Sequence, residues 1–157
     1  MNRLDAEVPA CTSDSVFAAI ELSSTAWVIA LYLPTRRKIS LARVASGDID
    51  RLVEVLERAR ETSRVEGAVE PQILTCYEAG YDGFWLHRLL TAKGIHNRVL
   101  DSASIQISRR RRNAKTDRID AEGLVRVLMA DLQRRTRAHT GRGGPQAIAS
   151  ISSDPPP

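Results

Sequence analysis

Apolar residues fall in short runs with polar joints between them through the first half of the chain. Val16 to Leu22 reads as a buried strand with an acid, Glu21, near its end. Ser23-Ser24-Thr25 makes a turn, and Trp27 to Leu33 reads as a second strand. Pro34-Thr35-Arg36-Arg37 supplies another turn before a third strand over Lys38 to Ala45. Three strands with tight polar joints predict an antiparallel meander.

The period then changes. Ile49, Leu52, Val53, Leu56 and Ala59 recur at helical spacing, with Ser46 or Asp48 able to cap the start. Thr62 to Glu70 is read as a polar connection containing Gly67. Ile73 to Glu78 is again a short apolar strand that runs into an acid, and Ala79-Gly80-Tyr81-Asp82-Gly83 lets the backbone turn sharply. Phe84 to Leu90 continues as an amphipathic helix stopped by Gly94, and Ile95 to Leu100 is a fifth strand. Ser102 to Ser108 is a short helix or loop, after which Ile119, Leu124, Val127 and Leu128 form the apolar face of a last helix. The order β-β-β-α-β-α-β-α predicts a mixed five-stranded α/β sheet flanked by helices.

Past Leu132 the pattern fades, and Thr140 to Pro145 breaks any helix. The expected organisation is a disordered lead-in over 1–14, one folded domain over 15–135 and a Ser/Pro-rich disordered tail over 136–157. A chain of 157 residues accommodates one such domain with a core of its own.

Composition adjusts this picture in a few places. Val16 to Leu33 is apolar enough to raise a membrane span, but Glu21 and Ser23-Ser24-Thr25 inside it are costly in lipid, so no membrane segment is expected. Cys11 and Cys76 have no metal-type spacing, and a reducing compartment is the default reading. An aromatic share of 4% argues against a surface dominated by base-stacking rings. The net charge of +4 favours an acidic partner such as nucleic acid. From Arg109 to Arg142 there are eleven Lys/Arg against four Asp/Glu, so this segment holds more than the whole net excess.

Candidate chemistry concentrates in the same segment. Asp117 and Asp120 lie three residues apart at the start of the last helix, which puts them on one face, about 5–6 Å apart at Cβ. Arg109-Arg110-Arg111-Arg112 and Lys115 sit just upstream. In isolation Asp117 can equally be a helix N-cap, and Asp120 or Glu122 a favourable first-turn charge. Two further acids, Glu21 and Glu78, end apolar strands, where an ion without a partner loses its hydration. Four converging carboxylates would repel one another unless a cation joined them. Two Mg²⁺ or Mn²⁺ ions about 3.5–4 Å apart would satisfy the set and suit attack on a phosphodiester.

Three stretches together carry a family resemblance. These are Ile20-Glu21-Leu22-Ser23, Cys76-Tyr77-Glu78-Ala79-Gly80 and Arg112-Asn113-Ala114-Lys115-Thr116-Asp117-Arg118-Ile119-Asp120-Ala121. Over Val16 to Leu132 the chain resembles the N-terminal domain of the DEDD transposases of the insertion sequence 110 family. That domain is similar to the junction resolvase RuvC, so the resemblance implies an RNase H-like fold. It also implies metal-dependent DNA cleavage and strand transfer in transposition, with Mg²⁺ or Mn²⁺ held by Glu21, Glu78, Asp117 and Asp120. The first of these is Asp in the family, and the extra methylene of Glu21 displaces its carboxylate by about 1.5 Å. DNA is the implied partner, contacted through Arg109 to Arg112 and Lys115. A structured guide RNA and self-association are further implied partners, and the implied location is the bacterial cytoplasm, at the nucleoid when DNA is bound.

Full-length members of that family continue into a second domain with a serine nucleophile, to which nothing in this sequence corresponds. Ser150, Ser152 and Ser153 are not assigned that role. A truncated copy is therefore expected, and a non-catalytic nucleic-acid-binding remnant is the alternative. An unrelated sugar or acetate kinase half is a third possibility, disfavoured because no glycine-rich phosphate loop is present and the basic run would be unexplained.

Overall fold

Three antiparallel strands, β1 (Val16–Glu21), β2 (Ala26–Leu33) and β3 (Lys38–Ala45), form one half of a five-stranded sheet. The computed structural model describes residues 14–80, 84–101 and 117–140, and in the last segment the side chains of 121–132 and 134. Polar groups set both hairpin joints. The Ser23 hydroxyl donates to the Ala26 carbonyl, and the Ala26 N–H closes back on Ser23 Oγ at 3.3 Å. At the second joint the N–H groups of Arg36 and Arg37 both donate to the Leu33 carbonyl at 3.0 Å.

The helix α1 (Ile49–Val65) starts where Asp48 accepts from the Arg51 N–H at 3.1 Å. It runs into the first part of the stretch that the sequence presents as a polar connection, taking in Thr62 to Val65. Ser63 faces inward and is fully buried, and the outward positions pair along the helix, Glu61 with Arg64 at 2.7 Å. Gly67, at φ +105°, adopts a conformation that L side chains avoid, and the chain turns there.

β4 (Ile73–Glu78), α2 (Trp85–Ala92) and β5 (His96–Leu100) follow as a βαβ unit. β4 lies parallel to β1, in register Val16↔Ile73 to Ile20↔Tyr77, and β5 lies parallel to β4. The strand order is β3-β2-β1-β4-β5, which places β1 at the centre. A central strand is buried on both faces, and this is why Val16 to Ile20 is an unbroken apolar run and not an alternating one.

The two faces hold separate cores. One buries Val16, Ala18, Ile20, Trp27, Ile29 and Tyr77 beneath Leu52 and Leu56 of α1 and Leu86 and Leu90 of α2. The other buries Phe17, Ala19, Val28, Ala30, Leu74 and Cys76 beneath α3 (Asp117–Thr140), through its Ala121, Leu124, Val125, Leu128 and Leu132. α3 continues past Leu132, the last buried residue among those whose side chains are described, to Thr140. Gln133, Arg134, Arg135, Arg137 and Ala138 are good helix formers, so the helix outlasts its apolar stripe.

The fold is thus the mixed five-stranded α/β sheet with helices on its faces that the order of apolar runs predicts. The apolar stretch over residues 16–33 is a β-hairpin, and no helix among the described residues is long and apolar enough to cross a membrane.

Candidate functional site

Glu21 and Glu78 end β1 and β4, and those two strands are adjacent and parallel. Each follows the last paired position of the two strands, Ile20↔Tyr77, so their backbones are neighbours at the strand spacing of about 4.8 Å. Their direction follows from the alternation of side chains along a strand. Glu21 shares a face with Phe17 and Ala19, and Glu78 with Leu74 and Cys76. Across the ladders, Glu21 stands opposite Val28 and Glu78 opposite Leu100, and both of those partners belong to the core under α3. The two carboxylates therefore leave the sheet from its α3 face, Glu21 half-buried and Glu78 exposed.

The end of β4 is fixed beyond the acid. The Ala79 N–H donates to the Leu100 carbonyl at 2.8 Å, which extends the β4–β5 pairing by one residue and holds Glu78 in the extended conformation.

Asp117 and Asp120 lie in the first turn of α3, as the sequence predicts, and their side chains are outside the described residues. One turn further on, the Cys76 thiol reaches the Leu124 carbonyl at 3.7 Å. Cys76 is two residues from Glu78, and Leu124 is four from Asp120. The basic run Arg109 to Arg112 and Lys115 lies outside the described residues. Among the described residues no group of three or more His, Cys, Asp or Glu could hold a metal ion.

Above the strand ends opens a cleft of about 440 Å³. Glu21 and Glu78 border it at the strand ends, while Tyr77, Trp27 and Trp85, which belong to the core under α1 and α2, make its other wall. The indoles of Trp27 and Trp85 meet at 6.1 Å between centroids, inclined by 43°.

Beneath the cleft a neutral hydrogen-bond network ties β4, β5 and α2 together. The Thr75 hydroxyl lies 2.8 Å from Asn97 Oδ1 and 3.0 Å from the His96 carbonyl. With its oxygen toward Thr75, the Asn97 amide turns its nitrogen to His87 Nδ1 at 3.0 Å. The His87 N–H, one of the open donors at the start of α2, goes to the Tyr77 hydroxyl at 3.1 Å. Burial raises the Tyr77 phenol above its ordinary pKa, and the His87 N–H partly offsets this.

The sequence shows each of these residues but not the network, because its members are 10 to 22 positions apart. Nor does it show the ion pair between Arg98 on β5 and Asp131 on α3, with Nη1 and Oδ2 at 3.0 Å. Cys76 is buried, free and protonated, its thiol pushed far up by burial and, secondarily, by the Asp131 charge. It is not poised to bind a cation or to attack.

No protein-family model matches this chain. No solved structure matches it either. Over 117 residues, 74% of its length, it is 42% identical to a protein of Sinorhizobium fredii named "Putative transposase y4rJ". The chain spans 30% of that relative's length. An identity of 42% over 117 residues supports a transposase relationship.

Proposed function

We propose that this chain is the metal-binding N-terminal domain of a DNA transposase of the insertion sequence 110 type, with a RuvC-like, RNase H-like fold. The observation that carries the reading is the pair of strand-end acids. Glu21 and Glu78 leave the same face of two adjacent parallel strands, and that face is covered by a helix opening Asp-Arg-Ile-Asp. An antiparallel meander followed by two parallel strands, in the order β3-β2-β1-β4-β5, is the topology expected of such a fold. The similarity to a protein named a putative transposase over 74% of the chain supports it further.

The donor set suits Mg²⁺ or Mn²⁺, since Glu21, Glu78, Asp117 and Asp120 offer hard carboxylate oxygens alone. Metal bound there would lower the pKa of a water or hydroxyl and stabilise charge on the phosphate. The chain's own contribution is positional. The β1–β4 pairing fixes the separation of Glu21 and Glu78, and the Ala79–Leu100 bond keeps the second from swinging away. Arg109 to Arg112 and Lys115 would hold the DNA backbone without reading its sequence. A structured guide RNA and a second copy of the chain are the further partners of this reading.

Glu21 stands where the family has Asp, and this favours a second reading, a nucleic-acid-binding remnant without strand transfer. Mn²⁺ titration calorimetry and a Mg²⁺-dependent cleavage assay on branched DNA separate the two. In the first reading Glu78→Ala and Asp117→Ala each abolish Mn²⁺ binding and cleavage while the fold persists. Unchanged Mn²⁺ affinity in both variants overturns the metal site. Salt-sensitive DNA binding without cleavage, indifferent to Asp117→Ala, selects the remnant.

A further inference from the structure

We infer that the Arg98–Asp131 ion pair is a positioning device, which sets where the first turn of α3 falls over the sheet and so where Asp117 and Asp120 stand relative to Glu21 and Glu78. The catalytic consequence rests on the reading given above, whereas the positional claim stands without it.

The apolar seat of α3 mixes small and large residues. Ala19, Ala30, Val28 and Leu74 share it with Phe17 and Leu100 of the sheet and with Ala121, Leu124, Val125, Leu128 and Leu132 of the helix, and apolar attraction is itself non-directional. Such a seat restricts the helix by shape alone and leaves latitude in its angle to the strands. Two polar contacts add to it. The Cys76 thiol meets the Leu124 carbonyl at 3.7 Å, and Arg98 meets Asp131 at 3.0 Å.

Cys76 and Arg98 are partners across the β4–β5 ladder, so both contacts spring from one point of the sheet. On the helix they are seven residues apart, two turns or about 10 Å. Two points fix an axis. The ion pair is the stronger of them, and it is well shielded, with side chains 21% and 22% exposed. Asp131 also lies 3.9 Å from Arg134, so its charge sits between two cations.

The lever is long. Asp120 is about 16 Å from Asp131 along the helix, and a tilt of about 10° moves the first turn by about 3 Å. Metal ligands tolerate displacements of only about 0.5 Å. A helix held by apolar contact alone would be bound yet not aimed.

The test replaces the pair by hydrophobic residues, which commonly keeps or raises stability when a buried ion pair is lost. The variant is Arg98→Leu with Asp131→Leu. Spin labels on the exposed positions Ser24→Cys and Arg126→Cys, in a Cys11→Ser background, report the α3-to-hairpin distance by electron paramagnetic resonance. The full chain is expected to give one narrow distribution. The Leu pair should broaden or shift it at a retained melting temperature and weaken Mn²⁺ binding by about tenfold or more. The reversed pair, Arg98→Asp with Asp131→Arg, should restore both.

An unchanged distance distribution in the folded Leu pair overturns the inference. If that variant does not fold, Asp131→Asn, which keeps the volume and removes the charge, is read the same way. A parent chain with a narrow distribution that fails to bind Mn²⁺ refutes the metal reading and leaves the positional claim standing.

Discussion

The two faces of the sheet are built differently although the same strands supply both. Beneath α1 and α2 the side chains are large and closely fitted, with Ile20, Ile29, Tyr77, Leu52, Leu56, Leu86 and Leu90 fully buried. Polar groups admitted there include Thr75, Asn97, His87 and Tyr77, which hydrogen-bond to one another, and the Ser63 hydroxyl, which is buried without a hydrogen-bond partner among the described residues. Beneath α3 the sheet offers Ala19, Ala30 and the Cys76 thiol beside Phe17, Val28 and Leu74, and charge is admitted at two places, the Arg98–Asp131 pair and the strand-end acids. Neutral networks and bulky packing hold a structure in place at little electrostatic cost, whereas charged groups near a core are costly unless paired. One face is therefore organised for stability, and the other keeps the groups with which chemistry can be done.

The sharpest test of that division is a matched pair of truncations. Leu56 of α1 and Leu128 of α3 are both buried, at 0% and 1% exposure, one against each face. Replacing either by Ala should cost about 2–5 kcal/mol in chemical denaturation, since each leaves a cavity that the surroundings refill only in part. Their effects on the proposed metal site should differ. Leu56→Ala is expected to leave the Mn²⁺ affinity of the folded chain unchanged, whereas Leu128→Ala loosens the helix that carries Asp117 and Asp120 and should lower it. Equal losses of affinity would mean that the faces act as one unit.

The stability face was the more legible in the sequence. The runs at residues 16–22, 27–33 and 38–45 are separated by turn residues, and periodicity alone separates them from the helix that follows. A mixed sheet was implied by the meander and the later alternation of strands and helices, but the strand order was not, because no local signal records which strand lies beside which. Helix α1 exceeds its apolar stripe at Thr62–Val65, where pairing of Glu61 with Arg64 and burial of Ser63 replace hydrophobic periodicity.

On the other face the acids stood out singly, as charged residues at the ends of apolar runs. Their convergence on one side of the sheet required the register Ile20↔Tyr77, which is a property of the folded ladder. Arg98 and Asp131 gave no signal, since a lone Arg in a short strand and a lone Asp on a basic helix are each unremarkable until the helix is laid on the sheet.

Alkaline pH offers a smaller and more selective probe of the α3 face. Burial holds the Cys76 thiol far above its ordinary value of 9.0, with the Asp131 charge adding to the effect. In the unfolded chain the thiol ionises above pH 9, while in the folded chain it stays protonated. The folded state then binds more protons, so stability is intact below pH 9 and falls as pH rises beyond it, by about 1.4 kcal/mol per unit. The window from pH 9 to 10 belongs to Cys76, because the Tyr77 phenol, raised from 10.0, adds its own slope only above that. Cys76→Ala should flatten this window in denaturation midpoints measured across pH. Asp131→Asn should leave most of the slope in place, since burial is the larger cause.

The smallest effect tests the opposite face at the point where it comes nearest to the acids. Tyr77 precedes Glu78 in β4, yet its side chain turns to the α2 side, where its hydroxyl accepts from the His87 N–H at 3.1 Å. Tyr77→Phe keeps the ring packed against Ile20 and Leu86 and leaves that N–H without its acceptor. A loss of about 1 kcal/mol is expected, together with faster amide exchange at His87. If the faces are independent, Mn²⁺ affinity stays at the parent value, because the carboxylate of Glu78 is aimed by its β-pairing and not by its neighbour's hydroxyl. A fall comparable to that of Glu78→Ala would show that the docking of α2 also sets the strand end, and the division between a face for stability and a face for chemistry would fail at that residue.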